Sequence, residues 1–204
     1  LIKNIIFDLG NVLVNVDPER FKEGLISEGV SEEKYEYFYE QWRRHNSIHQ
    51  FETGRMTQNE FLEFSLSILD GKLSKTKLIK QFNSMLVERD YMRQFLRNLI
   101  SKNNYNLFVL SNTNPIHWNY GRKKFDYINL IKNHGLSYKL GFYKPDPRIF
   151  KKALRLFNIE PEETLFIDDS LENCESANGI GIKTIRYEDF ESFKKELKKY
   201  LDKH

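Results

Sequence analysis

Three short apolar runs, each stopped abruptly by polar residues, constrain this chain more than any other feature. Ile2 to Leu9, interrupted only by Lys3 and Asn4 ahead of Asp8, leads into Gly10-Asn11; Leu107 to Leu110 stops at Ser111-Asn112; Thr164 to Ile167 stops at Asp168-Asp169. Runs this short and this rich in Ile, Leu, Val and Phe read as buried strands ending in turns. Between them the apolar spacing changes to three and four, as in Asp146 to Asn158, where Ile149, Phe150, Ala153, Leu154 and Phe157 make one helical face. Leu171 to Asn178 reads as a further short helix, and Ile182 to Ile185 as a strand after the turn at Gly179 and Gly181. Strand, helix, strand predicts an α/β fold, a doubly wound parallel sheet covered on both faces. Such sheets bind ligands beyond the carboxyl ends of their strands, where Asp8, Ser111, Asn112, Asp168 and Asp169 all fall.

The stretch 18–89 shows no convincing strand and reads as helical. Ser31-Glu32-Glu33 opens one helix, and Thr57-Gln58-Asn59-Glu60 is a capping-box pattern opening another, whose apolar residues crowd Glu60 to Asp70. Residues 1–17 and 90–204 are therefore read as a Rossmann-like core, with 18–89 an all-helical domain inserted after the first strand. At 204 residues the chain has room for one such core and a small accessory domain.

Composition narrows the class. A net charge of +3, with lysines scattered except along Phe193 to Lys203, gives no nucleic-acid patch, and that run reads as a solvated helix face. Cys174 is the only cysteine, so no internal disulfide can form. No apolar stretch approaches the roughly 20 residues of a membrane span, and the apolar N-terminus reads as a strand rather than a signal peptide. The expectation is a cytoplasmic protein with neither membrane nor nucleic acid as partner, a monomer or weak homodimer.

Four segments taken together carry a resemblance: Phe7-Asp8-Leu9-Gly10-Asn11-Val12, Leu110-Ser111-Asn112, Tyr143-Lys144-Pro145-Asp146-Pro147 and Phe166-Ile167-Asp168-Asp169. In this order, at the ends of the expected strands, they resemble the four motifs of the haloacid dehalogenase-like superfamily, and the resemblance covers nearly the whole chain. It implies a magnesium-dependent phosphatase with Asp8 as nucleophile, Lys144 as the charge-neutralising catalytic lysine, and Ser111, Asn112 and Asn11 against a small phosphorylated substrate. It also implies Mg2+ held by Asp8, the Gly10 carbonyl and the Asp168-Asp169 pair, with Asp169 favoured as the direct ligand. The chemistry agrees: a carboxylate attacks phosphorus only where a cation screens both charges, and carboxylate oxygens are the hard donors magnesium takes. The inserted helices stand where the superfamily places its cap, so substrate choice is expected there. Arg43, Arg44, His45, His49, Arg55 and the turn Glu52 to Thr57 are the candidates, and Trp42, Tyr35 and Tyr39 are read as packing. His117 and Trp118 are placed at the pocket border, Asn173 as a brace for the carboxylates, and Cys174 as buried packing.

Gly10 departs from the pattern. Most phosphatases of the superfamily carry a second Asp two residues after the nucleophile, as general acid and base. The Gly10-Asn11-Val12 variant is similar to the branch containing alpha-D-glucose-1-phosphate phosphatases, whose anomeric leaving oxygen needs less protonation; Asp17, His45, His49 or Glu52 are alternative proton donors. Two other readings stay open: a 2-haloacid dehalogenase, which needs neither proton nor metal, and a non-catalytic phosphate-binding protein.

Overall fold

The computed structural model describes residues 1–102 and 104–201. Seven strands are present among them: β1 (Asn4–Phe7), β2 (Asn15–Val16), β3 (Leu86–Val87), β4 (Asn106–Ser111), β5 (Asn133–Leu136), β6 (Thr164–Asp168) and β7 (Lys183–Arg186). Five form one sheet in the order β5-β4-β1-β6-β7, every pairing parallel. In β1, Ile5 and Phe7 join one core with Val109, Leu165, Ile167 and Ile185, while Ile6 joins a second with Phe108, Leu110 and Phe166. Successive side chains of a strand point to opposite faces, so an unbroken apolar run is what a sheet buried on both faces requires. Each fully buried side chain of this size contributes roughly 1.5–3 kcal/mol.

Eleven α-helices accompany the sheet among the described residues. Five lie between β2 and β3: α1 (Pro18–Ser27), α2 (Glu32–Arg44), α3 (Ser47–Glu52), α4 (Gln58–Ile68) and α5 (Lys75–Ser84). The remainder serve the sheet: α6 (Asp90–Ser101), α7 (Pro115–Lys124), α8 (Ser137–Leu140), α9 (Pro147–Phe157), α10 (Leu171–Asn178) and α11 (Phe190–Leu201). Ser31 caps α2 through the Lys34 amide, and Thr57 and Glu60 form the capping box of α4, as their sequence patterns indicate. The α9 face Ile149, Phe150, Ala153 and Leu154 packs on the second core, while Met92, Leu96 and Leu99 of α6 cover the first. The basic run read as a helix face lies in α11 up to Leu201; Lys203 lies outside the described residues. No helix among the described residues is long and apolar enough to cross a membrane.

The five inserted helices enclose a separate core. Phe21, Tyr35, Phe38, Trp42, Phe51, Phe61 and Phe82 cluster there, and the buried Trp42 indole donates to Ser65 Oγ at 3.0 Å. Trp42 and Tyr35 are therefore packing residues, as read from the sequence; Tyr39 stacks on Tyr35 with its ring half exposed. The chain leaves the main domain through β2 and returns through β3, paired antiparallel, with Asp17 N donating to Met85 O at 2.8 Å. The stretch 18–89, read as free of strands, thus contains β3, whose two residues are too few for a sequence pattern.

The cap is seated on the core at the turn after α3. Gly54 has φ +71°, and a Cβ there would stand 2.3 Å from the Tyr138 carbonyl oxygen of α8. Both the left-handed backbone and the close approach require glycine. Gly54→Ala is expected to cost about 1–2 kcal/mol from the backbone term alone and to displace the turn from α8. Thermal unfolding and kcat/KM measured on the same preparation check this: an unchanged kcat/KM would show that this docking contact does not shape the site.

Candidate active site

The sheet's register assembles the site. Phe7 lies level with Val109 of β4 and Ile167 of β6, so the next residues, Asp8, Leu110 and Asp168, share one level at the carboxyl edge. The Asp8 amide donates to Ile167 O at 2.9 Å and continues the ladder, while its side chain leaves it. Strand β1 is the switch point of the sheet, with neighbours reached by connections on opposite sides, and there the strand ends open a crevice.

Lys144 closes the charge cluster from below. Its ammonium lies 2.9 Å from Asp8 Oδ1, 2.6 Å from Asp168 Oδ2 and 3.2 Å from Leu110 O, with the residue 1% exposed. Asn112 clamps its backbone: the Lys144 amide donates to Asn112 Oδ1 at 2.8 Å and Asn112 Nδ2 donates to Lys144 O at 2.9 Å. Burial works against the Lys144 charge, but Asp8 and Asp168 outweigh it and raise the pKa above the ordinary lysine value. Burial pushes Asp8 up to about 7; Lys144 pulls it back, and Asp168 and Asp169 push it further up.

The two neighbouring aspartates are held differently. Asp168 is fully buried with both oxygens engaged, Oδ2 by Lys144 and Oδ1 by the Ser170 amide and Asn173 Nδ2, each at 2.9 Å. Asn173 braces the carboxylate as the sequence suggested. Asp169 is half-buried and takes one bond from Asn11 Nδ2 at 3.2 Å. Asn11 itself has φ +55° and accepts from the Val16 amide at 3.1 Å, so its side chain ties the β1 turn to β2. Carboxylate oxygens of Asp8, Asp168 and Asp169 lie within 4.8 Å of one another. Lys144 neutralises one of these three charges, and two are left over. An all-oxygen donor set with two uncompensated negative charges fits a hard divalent cation.

The residues that follow Asp8, Leu9 and Gly10, line a cavity of about 140 Å³ together with Val16, Ser111, Asn112, Thr113, Met85, His117 and Glu52. Ser111, Asn112 and Gly10, chosen from the sequence, thus share one wall. Thr113 is fixed by Ser137, whose Oγ accepts from Thr113 N at 2.9 Å and donates to Thr113 O at 3.0 Å. The Ser137 contact had no sequence signal, since β5 and α8 read as neither strand nor helix.

The cap residues separate. Asn46, with φ +51°, breaks the chain between α2 and α3, so His45 and His49 belong to different helices. His45 is exposed and packs edge-on against Phe64, with ring centroids 5.1 Å apart. His49 turns to Tyr143 at 5.1 Å and lines a second cavity of about 320 Å³ with Tyr39, Trp42, Arg43, Asn46, Ile48 and Tyr143. Arg44 pairs with Glu40 on the surface, and Arg55 is exposed beyond the turn. Asp17 is spent as the N-cap of α1, accepting from the Glu19 amide at 3.2 Å. Glu52, the last residue of α3, reaches the main cavity.

Two residues link cap to core behind Glu52. Asn114, N-cap of α7, donates from Nδ2 to Glu52 Oε1 at 3.4 Å and to His117 Nδ1 at 3.2 Å, and its Oδ1 accepts from His117 N. His117 Nε2 lies 3.1 Å from Phe82 O of α5, a pure acceptor, so this nitrogen carries the proton and Nδ1 accepts. Its ring stacks on Phe82 at 4.0 Å. His117 therefore borders the pocket as expected. Trp118 turns instead into the first core, against His134. Cys174 is buried, its thiol pushed up to about 11 by burial, which agrees with packing rather than reactivity.

The chain belongs to the haloacid dehalogenase-like hydrolase family, whose sequence profile matches residues 2–181. A D-ribitol-5-phosphate phosphatase of Bacteroides thetaiotaomicron is 28% identical over 212 residues, spanning 97% of this chain and 97% of that protein. A HAD family enzyme of the same organism, crystallised with magnesium and inorganic phosphate, superposes with a TM-score of 0.84 at 33% identity, covering 95% of this chain and 99% of its own. A HAD-like family hydrolase of Porphyromonas gingivalis gives 0.83 at 26% identity, covering 100% and 99%.

Proposed function

We propose that this protein is a magnesium-dependent phosphatase that transfers the phosphoryl group of a small sugar or polyol phosphate to Asp8 and then to water. The observation that carries this reading is the buried cluster at one sheet edge: a carboxylate poised at a strand end, a lysine 2.9 Å away, and two more carboxylates completing an oxygen-only set. Asp8, Asp169 and the Gly10 carbonyl would hold Mg2+. Asp169 would be the direct ligand of the pair; the engagement of both Asp168 oxygens by Lys144, Ser170 and Asn173 supports this. When bound, the ion supplies positive charge to the phosphate oxygens and to Asp8.

Asp8 supplies the nucleophilic oxygen. Lys144, still charged because its two carboxylates outweigh its burial, offsets the charge of Asp8 and of the incoming phosphate. Ser111 and Asn112 stand on the cavity wall where phosphate oxygens would lie, and Asn11 holds Asp169 in place. Asn112 also secures the Lys144 backbone, so it positions as well as binds. His49, with Arg43 and Tyr143 around the larger cavity, is the cap's candidate for the rest of the substrate. His45 and Arg55, kept as substrate candidates from the sequence, stand farther out on the cap surface. A metal-free dehalogenase would have no use for three converging carboxylates. The lone thiol, Cys174, is buried, which suits the reducing cytoplasm.

Purified protein incubated with D-ribitol 5-phosphate, alpha-D-glucose 1-phosphate and related esters, with and without magnesium, tests the reading through phosphate release. Asp8→Asn is expected to reduce release by at least about a thousandfold, since an amide oxygen cannot form the covalent intermediate. Activity surviving in that variant, or undiminished in chelator, would overturn the reading. A preference for the anomeric phosphate would place the chain with the glucose-1-phosphate branch.

A further inference from the structure

With glycine at position 10, the loop after β1 offers no carboxyl group to protonate the leaving oxygen. Of the described residues lining the cavity that Gly10, Ser111 and Asn112 wall, only Glu52 and His117 carry an acidic or imidazole group. His117 has both ring nitrogens engaged, with Phe82 O and with Asn114, and burial lowers it to about 4. Its one ring proton is committed to Phe82 O, away from the cavity. Asp17 is committed to the start of α1, and His49 opens on the other cavity. Glu52 remains, held by Asn114 Nδ2 at 3.4 Å, with the Tyr143 hydroxyl close enough to influence its charge.

We propose that Glu52, delivered by the cap, is the general acid and base of this enzyme in place of the missing aspartate. The inference rests on the phosphatase reading and adds a residue to it. In the first step the Asp8 oxygen bonds to phosphorus as the ester P–O bond breaks, and the Glu52 carboxyl proton passes to the leaving oxygen to give the alcohol. In the second, the Glu52 carboxylate takes a proton from a water molecule whose oxygen bonds to phosphorus. The bond from phosphorus to Asp8 breaks, releasing inorganic phosphate and restoring both side chains. Burial raises the Glu52 pKa to about 7, against the lowering effect of Asn114 and Tyr143, so both protonation states are accessible near neutrality. Because α3 belongs to the cap, the proton donor arrives only when the cap is seated, which links turnover to the Gly54 docking turn.

The competing role for Glu52 is purely structural, a latch between cap and core through Asn114. Leaving-group dependence separates the two. Glu52→Gln keeps the size of the side chain and a carbonyl acceptor for Asn114, and is compared with wild type on the preferred alkyl phosphate and on 2,4-dinitrophenyl phosphate, whose leaving group needs no proton. Glu52→Gln is expected to lose about a hundredfold or more on the alkyl ester. First-turnover release of dinitrophenolate should fall at least about tenfold less, with phosphoenzyme then accumulating on Asp8 because the attacking water has lost its base. Equal losses on both substrates in the first turnover, or no loss on the alkyl ester, would overturn the proposal. Should the variant not fold, wild type alone supplies a test through a series of aryl and alkyl phosphates: rates nearly independent of leaving-group basicity support a built-in acid, and a steep decline refutes it. A wild-type protein inactive on every ester would remove the phosphatase reading itself, whereas an active wild type with an equally active Glu52→Gln would remove only Glu52.

Discussion

Lys144→Met is expected to damage the protein twice over, in stability and in turnover. Methionine keeps the apolar stem of the side chain, which lies over the Phe166 ring with the ammonium 5.3 Å from its centre. The ammonium itself is lost, and Asp8 and Asp168 then face each other in a buried site with Asp169 nearby. Removing one partner of a buried ion pair costs about 3–5 kcal/mol, because the remaining charge is left uncompensated. For a chain of this size that is a fall of roughly 10 °C in Tm. Millimolar magnesium should restore part of the loss, since a cation among the three carboxylates replaces some of the missing positive charge. Lost stabilisation of the phosphoryl oxygens should lower kcat/KM by about a hundredfold to a thousandfold. Thermal unfolding of wild type and variant in chelator, then in magnesium, is the measurement. Equal Tm values in chelator would show that the lysine does not offset the cluster.

That cluster was legible in the sequence for a physical reason. A parallel sheet buried on both faces forces its strands to be apolar throughout, so the first polar residue after each run marks the sheet edge, and Asp8, Ser111 and Asp168 are those residues. What the sequence hid is what does not depend on such a run. Strand β5, Asn133 to Leu136, has few apolar side chains and contains Gly135, packed close to the Leu110 side chain; the strand is there because its backbone pairs with β4, which no apolar run announces. Glu52 was one of several cap candidates because helical spacing states which residues share a face, not which face meets the core. The spacing of 45, 49 and 52 suggests one stripe on one helix. The left-handed Asn46 divides it, sending His45 to Phe64, His49 to Tyr143 and Glu52 into the cavity.

Acid is expected to destabilise the folded protein through His117. Burial lowers this imidazole from its ordinary 6.5 to about 4, and its hydrogen bond to Phe82 O only partly opposes the shift. Between those values the unfolded chain binds the proton and the folded one does not, so stability rises with pH across the window. The contribution is fully present above about 6.5 and is lost as pH falls towards 4. A separation of this width corresponds to about 3 kcal/mol. His117→Phe keeps a ring on Phe82 but cannot titrate; it leaves Phe82 O and Asn114 without their partner, so it should begin about 1–3 kcal/mol less stable at pH 7. Its unfolding free energy should then fall less than that of wild type between pH 6.5 and pH 4. Urea unfolding of both proteins across that range isolates His117, because carboxylates that also protonate contribute equally to each. Parallel curves would assign the acid sensitivity to groups other than His117. A converging pair would assign that sensitivity to His117, whose burial keeps off in the folded protein a proton that the unfolded chain takes up.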